Sequence, residues 1–297
     1  MTDAGANDIE VDIAARPRDL GGFTVGRVLP AIGHRMVGPF TFLDHMGPAS
    51  LDEMTVRPHP HINLATVTYL FEGAVVHRDS LGSHQTIAPG AINWMSAGKG
   101  IAHSERIARD GTQHHLHGLQ LWVALPTAVE ETAPFFEHTP ASALPAHVDG
   151  GATLRVLCGE AYGEKSPVRV ASPLFYVDVE LAAGAAIALP REYSERAAYI
   201  VDGAVAIGGQ RCETRHMAVF SKGAQPTLVA ELPTRLVLIG GEPLDGPRYI
   251  WWNFVSSSKE RIEAMAEVWR SGAWAKVPGD EIEFTPAPDG PRFSIDH

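Results

Sequence analysis

Two short patterns in this sequence could do chemistry. His59-Pro60-His61 and, forty-two residues past His61, His103-Ser104-Glu105 each set two metal-competent side chains two positions apart. In an extended strand, residues i and i+2 point to the same side, so each pattern presents two ligands to one interior. Pro60 fixes its own φ and pushes His59 towards an extended conformation, which favours a strand at the first pair. Three imidazoles and one carboxylate are suitable donors for Fe(II), and also for Mn, Ni or Zn, at about 2.0–2.2 Å. One His-x-His alone would carry little weight in a chain with 14 histidines. A second pair at the same spacing, placed after the turn Gly98-Lys99-Gly100, is what selects these four.

Such ligands need short strands and tight turns to hold them. From about Phe23 to Gly240 the chain alternates brief apolar runs with Gly, Pro and Asp, as in Ala65 to Phe71, Gly118 to Leu125, Leu174 to Leu181 and Leu236 to Gly240; these have strand length and turn punctuation. The 29 glycines and 22 prolines suit that reading. One helix is expected near the C-terminus. Ser257 and Glu260 form a Ser-x-x-Glu capping box, Ile262, Met265, Ala266 and Trp269 share a face, and Gly272 can end it.

A weak internal repeat divides the chain. Tyr69-Leu70-Phe71-Glu72-Gly73-Ala74-Val75 recurs as Tyr199-Ile200-Val201-Asp202-Gly203-Ala204-Val205, and Met95-Ser96-Ala97-Gly98 lines up with Phe220-Ser221-Lys222-Gly223. The expectation is a mainly all-β protein of two β-barrel domains, residues 1–135 and 136–297, joined near the Pro-, Ala- and His-rich stretch 134–151. The second carries the helix and tail. In the second copy the four ligand positions become Leu189, Arg191, Leu228 and Ala230. One metal site and one structural domain would look like this.

Composition narrows the partners. A formal net charge of -11, with no basic run to reverse it locally, argues against direct nucleic-acid binding. Two cysteines, Cys158 and Cys212, give no disulfide framework and no thiolate cluster, and both read as small buried residues. Residues 1–10 do not resemble a secretory signal, and no segment nears the roughly 20 apolar residues of a membrane span. A cytoplasmic protein is the expectation.

The motifs as a set resemble the pirin family. The likeness rests on His59-Pro60-His61, Thr66-Val67-Thr68-Tyr69-Leu70, Glu72-Gly73, Asp79-Ser80-Leu81-Gly82, Trp94-Met95-Ser96-Ala97-Gly98-Lys99-Gly100-Ile101 and His103-Ser104-Glu105. It extends to Val37-Gly38-Pro39-Phe40, Asp44-His45-Met46-Gly47-Pro48, Gln120-Leu121-Trp122-Val123 and Trp252-Asn253-Phe254-Val255-Ser256-Ser257, and so covers the chain from about residue 15 onwards. The resemblance implies a bicupin, two cupin-type jelly-roll barrels, with one mononuclear iron in the N-terminal domain. The family's His-x-His and His-x-Glu fall on His59, His61, His103 and Glu105. It further implies an activity similar to quercetin 2,3-dioxygenase, with O2 and a phenolic or enolic small molecule as substrates and Glu105 as base. An alternative from another class is an iron-dependent redox-sensing interaction protein or co-regulator, the role of eukaryotic members. A cupin isomerase or epimerase, or a metal-free structural cupin, is a third. One departure stands out: many pirins read Arg-Gly-Phe-Glu after the second His, whereas here the stretch is Ile62-Asn63-Leu64-Ala65, so the charge at the mouth of the site is expected to differ.

Other candidates read as structural. His77, His84, His114, His115 and His117 are expected at the surface or in turns. Asp44-His45 could stand behind the metal ligands, but a structural turn is the simpler reading. Trp94, Trp122, Trp251 and Trp252 are expected in the core.

Overall fold

The computed structural model describes residues 8–50, 55–108 and 115–290, so the expectations for the first seven residues and for His114 lie outside the described residues. The chain is mainly β-structure and divides into two compact units. One comprises Met1–Arg18, Val25–His45 and Thr139–Pro243; the other comprises Asp19–Thr24, Met46–His138 and Leu244–His297.

Where the expected partition is 1–135 and 136–297, each unit takes in a segment from the opposite end of the chain. The early strand Ile9–Ala14 pairs antiparallel with His216–Phe220 and buries Ile9 and Ile13, so the N-terminal segment belongs with the later half. The C-terminal helix belongs with the earlier half, where Ile262 and Ala266 pack on Ile62, Trp251 and Phe254. In both cases apolar burial on a distant strand overrides proximity in sequence.

The first unit holds an eight-stranded sheet and a four-stranded sheet. Alternate residues such as Val177, Val179, Ile200, Val205, Leu236 and Leu238 fill its interior. Leu189, Leu228 and Ala230, the counterparts of three of the proposed ligands, are part of this apolar core, and Arg191 is exposed.

In the second unit the strands Thr55–His61, Ile101–Ile107, Val75–Asp79 and His84–Ile87 form a four-stranded sheet in that order. Another layer runs Phe135–Thr139, Ile92–Ser96, Leu64–Glu72 and His115–Ala124. The sequence repeat is visible as matching hairpins. Leu64–Glu72 turns at Gly73 into Val75–Asp79, and Glu195–Asp202 turns at Gly203 into Ala204–Ile207. Both glycines have positive φ, 82° and 95°, and a Cβ at either would lie within 3 Å of a backbone carbonyl oxygen, of His115 and of Pro233 respectively.

The helix spans Lys259–Arg270, and Gly272 follows it at φ 72°. Its N-cap is Ser258, whose hydroxyl accepts from the Arg261 N–H at 3.2 Å, rather than Ser257. Ser257 is taken up by Glu130, which accepts from both its hydroxyl and its N–H. Among the described residues no helix is long and apolar enough to cross a membrane.

Candidate metal centre

Thr55–His61 and Ile101–Ile107 are adjacent antiparallel strands with His103 opposite His59 and Ile101 opposite His61. The period of two puts His59, His61 and His103 on one face, and all three are buried. Their ligand atoms lie within 4.8 Å of one another, and the Nε2 atoms of His61 and His103 are 3.1 Å apart. An irregularity in the ladder between His103 and Glu105 shifts the carboxylate along the strand. Glu105 is also buried, and its carboxylate groups with His103 and with a fourth histidine, His77, again within 4.8 Å. Thus the structure places the four expected residues in two overlapping buried groups, His59, His61 and His103 in one and Glu105 with His103 and His77 in the other.

Hydrogen bonds decide which nitrogen each imidazole offers. A backbone carbonyl can only accept, so His59 Nδ1–H donates to the Arg57 carbonyl at 2.9 Å and His61 Nδ1–H to the Asn253 carbonyl at 2.8 Å. Each Nε2 is then left as a lone pair. Burial holds the His59 imidazole down to about 4, opposed by the Arg57 carbonyl and reinforced by His77. Burial, then repulsion from neighbouring imidazoles, holds His61 and His103 well below the ordinary range. All three are neutral at pH 7, the form that binds metal. Burial raises the Glu105 carboxyl, while His77 and the Thr68 hydroxyl oppose that rise. A buried set of three imidazoles and a carboxylate could hold a first-row divalent ion.

Several expectations for single residues need correction. His77 is not a surface or turn residue: it is 3% exposed, lies opposite Glu105 on the strand Val75–Asp79, and its Nε2 is 3.0 Å from Asp79. Its signal was present in the sequence, because His77-Arg78-Asp79 repeats the two-apart spacing of a histidine and an acid. His84 and His115 are exposed, and His117 is partly buried with its ring against Phe71. Trp94, Trp122 and Trp251 are buried and Trp252 partly so, but the Trp122 ring also meets the His61 ring edge-on at 5.1 Å and so walls the site. His45 bonds the Tyr199 hydroxyl at 2.7 Å and Asp44 takes both arms of Arg27, so this pair is structural, but it lies within the strand Phe40–Ser50 and not in a turn. Cys158 and Cys212 are both buried, and burial pushes the Cys212 thiol up to about 12.

The stretch Ile62-Asn63-Leu64-Ala65, where the departure from the common pattern lies, is wholly buried. Ile62 lies in the cluster of Phe254 and Trp251. Asn63 adopts the left-handed conformation at φ 57° and donates its side-chain amide to the carbonyls of Gly98 and Glu130 and to Glu131. It thereby ties the end of the His59–His61 strand to the turn that leads into His103. Nothing in the sequence pattern marks Asn63 as a positioning residue, because its partners are distant in the chain.

Known proteins resemble this chain over nearly its full length. Two family models match, Pirin over residues 22–123 and the Pirin C-terminal cupin domain over 176–275. A pirin-like protein of Caulobacter vibrioides is 51% identical over 290 residues, 95% of this chain and 100% of that protein. A Pseudomonas aeruginosa protein provisionally named quercetin 2,3-dioxygenase is 36% identical over 288 residues, 95% of this chain and 88% of the other. The crystal structure of quercetin 2,3-dioxygenase from Acinetobacter baumannii superposes with a TM-score of 0.87 at 35% identity, covering 96% of this chain and 97% of that one.

Proposed function

The chain belongs to the pirin family, and from that premise we propose that it is an iron-dependent dioxygenase that opens the ring of a flavonol such as quercetin, its metal held by His59, His61, His103 and Glu105. The observation that supports this most is the convergence of three buried, neutral imidazoles beside a buried carboxylate on two paired strands. The likeness to proteins named as quercetin 2,3-dioxygenases supports a flavonol as the substrate class.

When bound, Fe(II) supplies Lewis acidity towards an enolic or phenolic hydroxyl and the electronic means for dioxygen to react. The protein's own part is to orient and to move a proton. The carbonyls of Arg57 and Asn253 fix the rings of His59 and His61. Glu105, with its carboxyl raised by burial, is the group suited to take the proton of the substrate hydroxyl. Thr68 Oγ1 lies 3.2 Å from Glu105 Oε1 and limits where that carboxylate can point. Trp122, edge-on to His61, keeps that side of the site apolar. Ring cleavage releases one carbon as carbon monoxide.

Glu105→Ala tests the assignment of the base. The variant is expected to keep a reduced amount of iron and to release no carbon monoxide from quercetin. Turnover at the wild-type rate would overturn the role given to Glu105.

A further inference from the structure

His103 differs from its two partners in what holds its second nitrogen. His59 and His61 are held by backbone carbonyls, which can only accept. His103 Nδ1 instead faces another imidazole, His77 Nδ1, at 3.4 Å. A contact between two ring nitrogens holds one proton, and which ring owns it depends on the far side of His77. There, His77 Nε2 lies 3.0 Å from Asp79 Oδ2. Asp79 is buried at 0% exposure, and its other oxygen, Oδ1, accepts the N–H groups of Leu81 and Ser83 at 2.9 and 3.0 Å.

We propose that Asp79 and His77 form a positioning relay that fixes the tautomer of His103. This inference rests on the metal-site reading above and goes further in naming what prepares one ligand. An ionised carboxylate only accepts, so His77 in its neutral form gives its one proton, on Nε2, to Asp79. Its Nδ1 is then a lone pair and accepts the Nδ1–H of His103. His103 Nε2 is left as a lone pair on the side of His61 Nε2, 3.1 Å away. The chain Asp79–His77–His103 does for one histidine what carbonyls do for the other two. Strand pairing builds it, because His103 stands opposite Asp79, and Glu105 opposite His77. His77 is further held flat on Phe136, with ring centroids 4.3 Å apart and planes 14° from parallel.

The relay can be inverted by one atom. In Asp79→Asn the amide oxygen stays where two backbone N–H groups require an acceptor, so the amide NH2 faces His77 Nε2. His77 must then carry its proton on Nδ1 and donate to His103, whose own proton moves to Nε2 and blocks the ligand position. His77→Phe keeps the stacking on Phe136 and removes the acceptor, whereas His77→Asn places an amide oxygen near the position of Nδ1. The probe is Ni(II), with affinity measured by chelator competition on metal-free protein whose folding is checked by circular dichroism. Asp79→Asn and His77→Phe are expected to bind about 10- to 100-fold more weakly and His77→Asn within about threefold of wild type. Nitrogen-15 imidazole spectra of metal-free wild type should show His103 protonated at Nδ1, a readout that needs no variant to fold. His103 protonated at Nε2 in wild type, or Asp79→Asn and His77→Phe both binding within threefold of wild type, would overturn the relay. A wild type that takes up no stoichiometric metal would instead sink the metal-site reading, and the tautomer spectrum would still decide the relay.

Discussion

His61 and His103 sit diagonally on two paired strands with their Nε2 atoms 3.1 Å apart. Two neutral imidazole lone pairs at that separation repel unless a proton or a cation lies between or beside them. Burial removes the proton, since it holds both rings well below the ordinary histidine range. The barrel interior thus offers an electron-rich pair of nitrogens shielded from water, and the first consequences concern metal uptake.

Removing either ring should abolish stoichiometric binding. His61→Ala and His103→Ala are each expected to lower metal content from about one per chain to under a tenth, measured by mass spectrometry after equilibration with Fe(II) under nitrogen. The circular dichroism spectrum should be unchanged, because the strand ladder does not depend on these side chains. Wild-type loading in either variant would exclude that residue as a ligand.

The same burial makes the metal-free protein sensitive to acid. Between pH 6.5 and about 4 the unfolded chain binds protons on these histidines and the folded chain does not, so stability falls as pH falls through that window. Each such histidine contributes a slope of about 1 kcal/mol per pH unit there. Urea unfolding of metal-free protein at pH 7 and pH 5 should show the lower midpoint at pH 5. His59→Gln should reduce the difference by the share of one ring, and equal midpoints in wild type would show that the rings are not buried as neutral bases.

The chemistry-bearing residues were legible in the sequence because strand geometry has a period of two, so His59/His61 and His103/Glu105 declare a common face without any knowledge of pairing. His77-Arg78-Asp79 carries the same spacing, but spacing alone does not attach it to the site. What gives it meaning is register, with His77 opposite Glu105 and Asp79 opposite His103, and register is a long-range property. The helix cap differs by one residue from the sequence expectation for a similar reason. Three serines run from Ser256 to Ser258, and the choice falls to Ser258 because Glu130, 127 residues away, binds Ser257. The membership of the two ends likewise depends on strands more than a hundred residues distant, such as His216–Phe220 for Ile9–Ala14.

Asn63 should prove costly to change. Asn63→Ala loses amide bonds to Gly98 and Glu130 and leaves an alanine at φ 57°, so a loss of about 3 kcal/mol is expected. Asn63→Gly relieves the backbone and leaves the Glu130 carbonyl without its amide donor, while the Gly98 carbonyl keeps the residue-63 N–H, for a loss of about 2 kcal/mol. Chemical denaturation measures both. An Asn63→Ala variant as stable as wild type would remove the tie between the ligand strand and the turn before His103.

Phe254 supports the ligand strand from behind. It is fully buried against Ile62 and Trp251, and the neighbouring Asn253 carbonyl holds His61. Phe254→Ala is expected to cost about 3–5 kcal/mol by leaving a cavity, and to weaken metal binding as the Asn253 carbonyl shifts. Calorimetry and chelator competition on the same sample would separate the two effects. A destabilised protein with undiminished affinity would show that the His61 bond survives loss of the aromatic support.

The proposed iron centre and its cleavage of a flavonol are tested together by purifying the protein under nitrogen, counting its iron, and following oxygen uptake and carbon monoxide release when quercetin is added. About one iron per chain is expected, with carbon monoxide formed in step with oxygen consumed. Iron at that level with neither gas changing would contradict the proposed reaction.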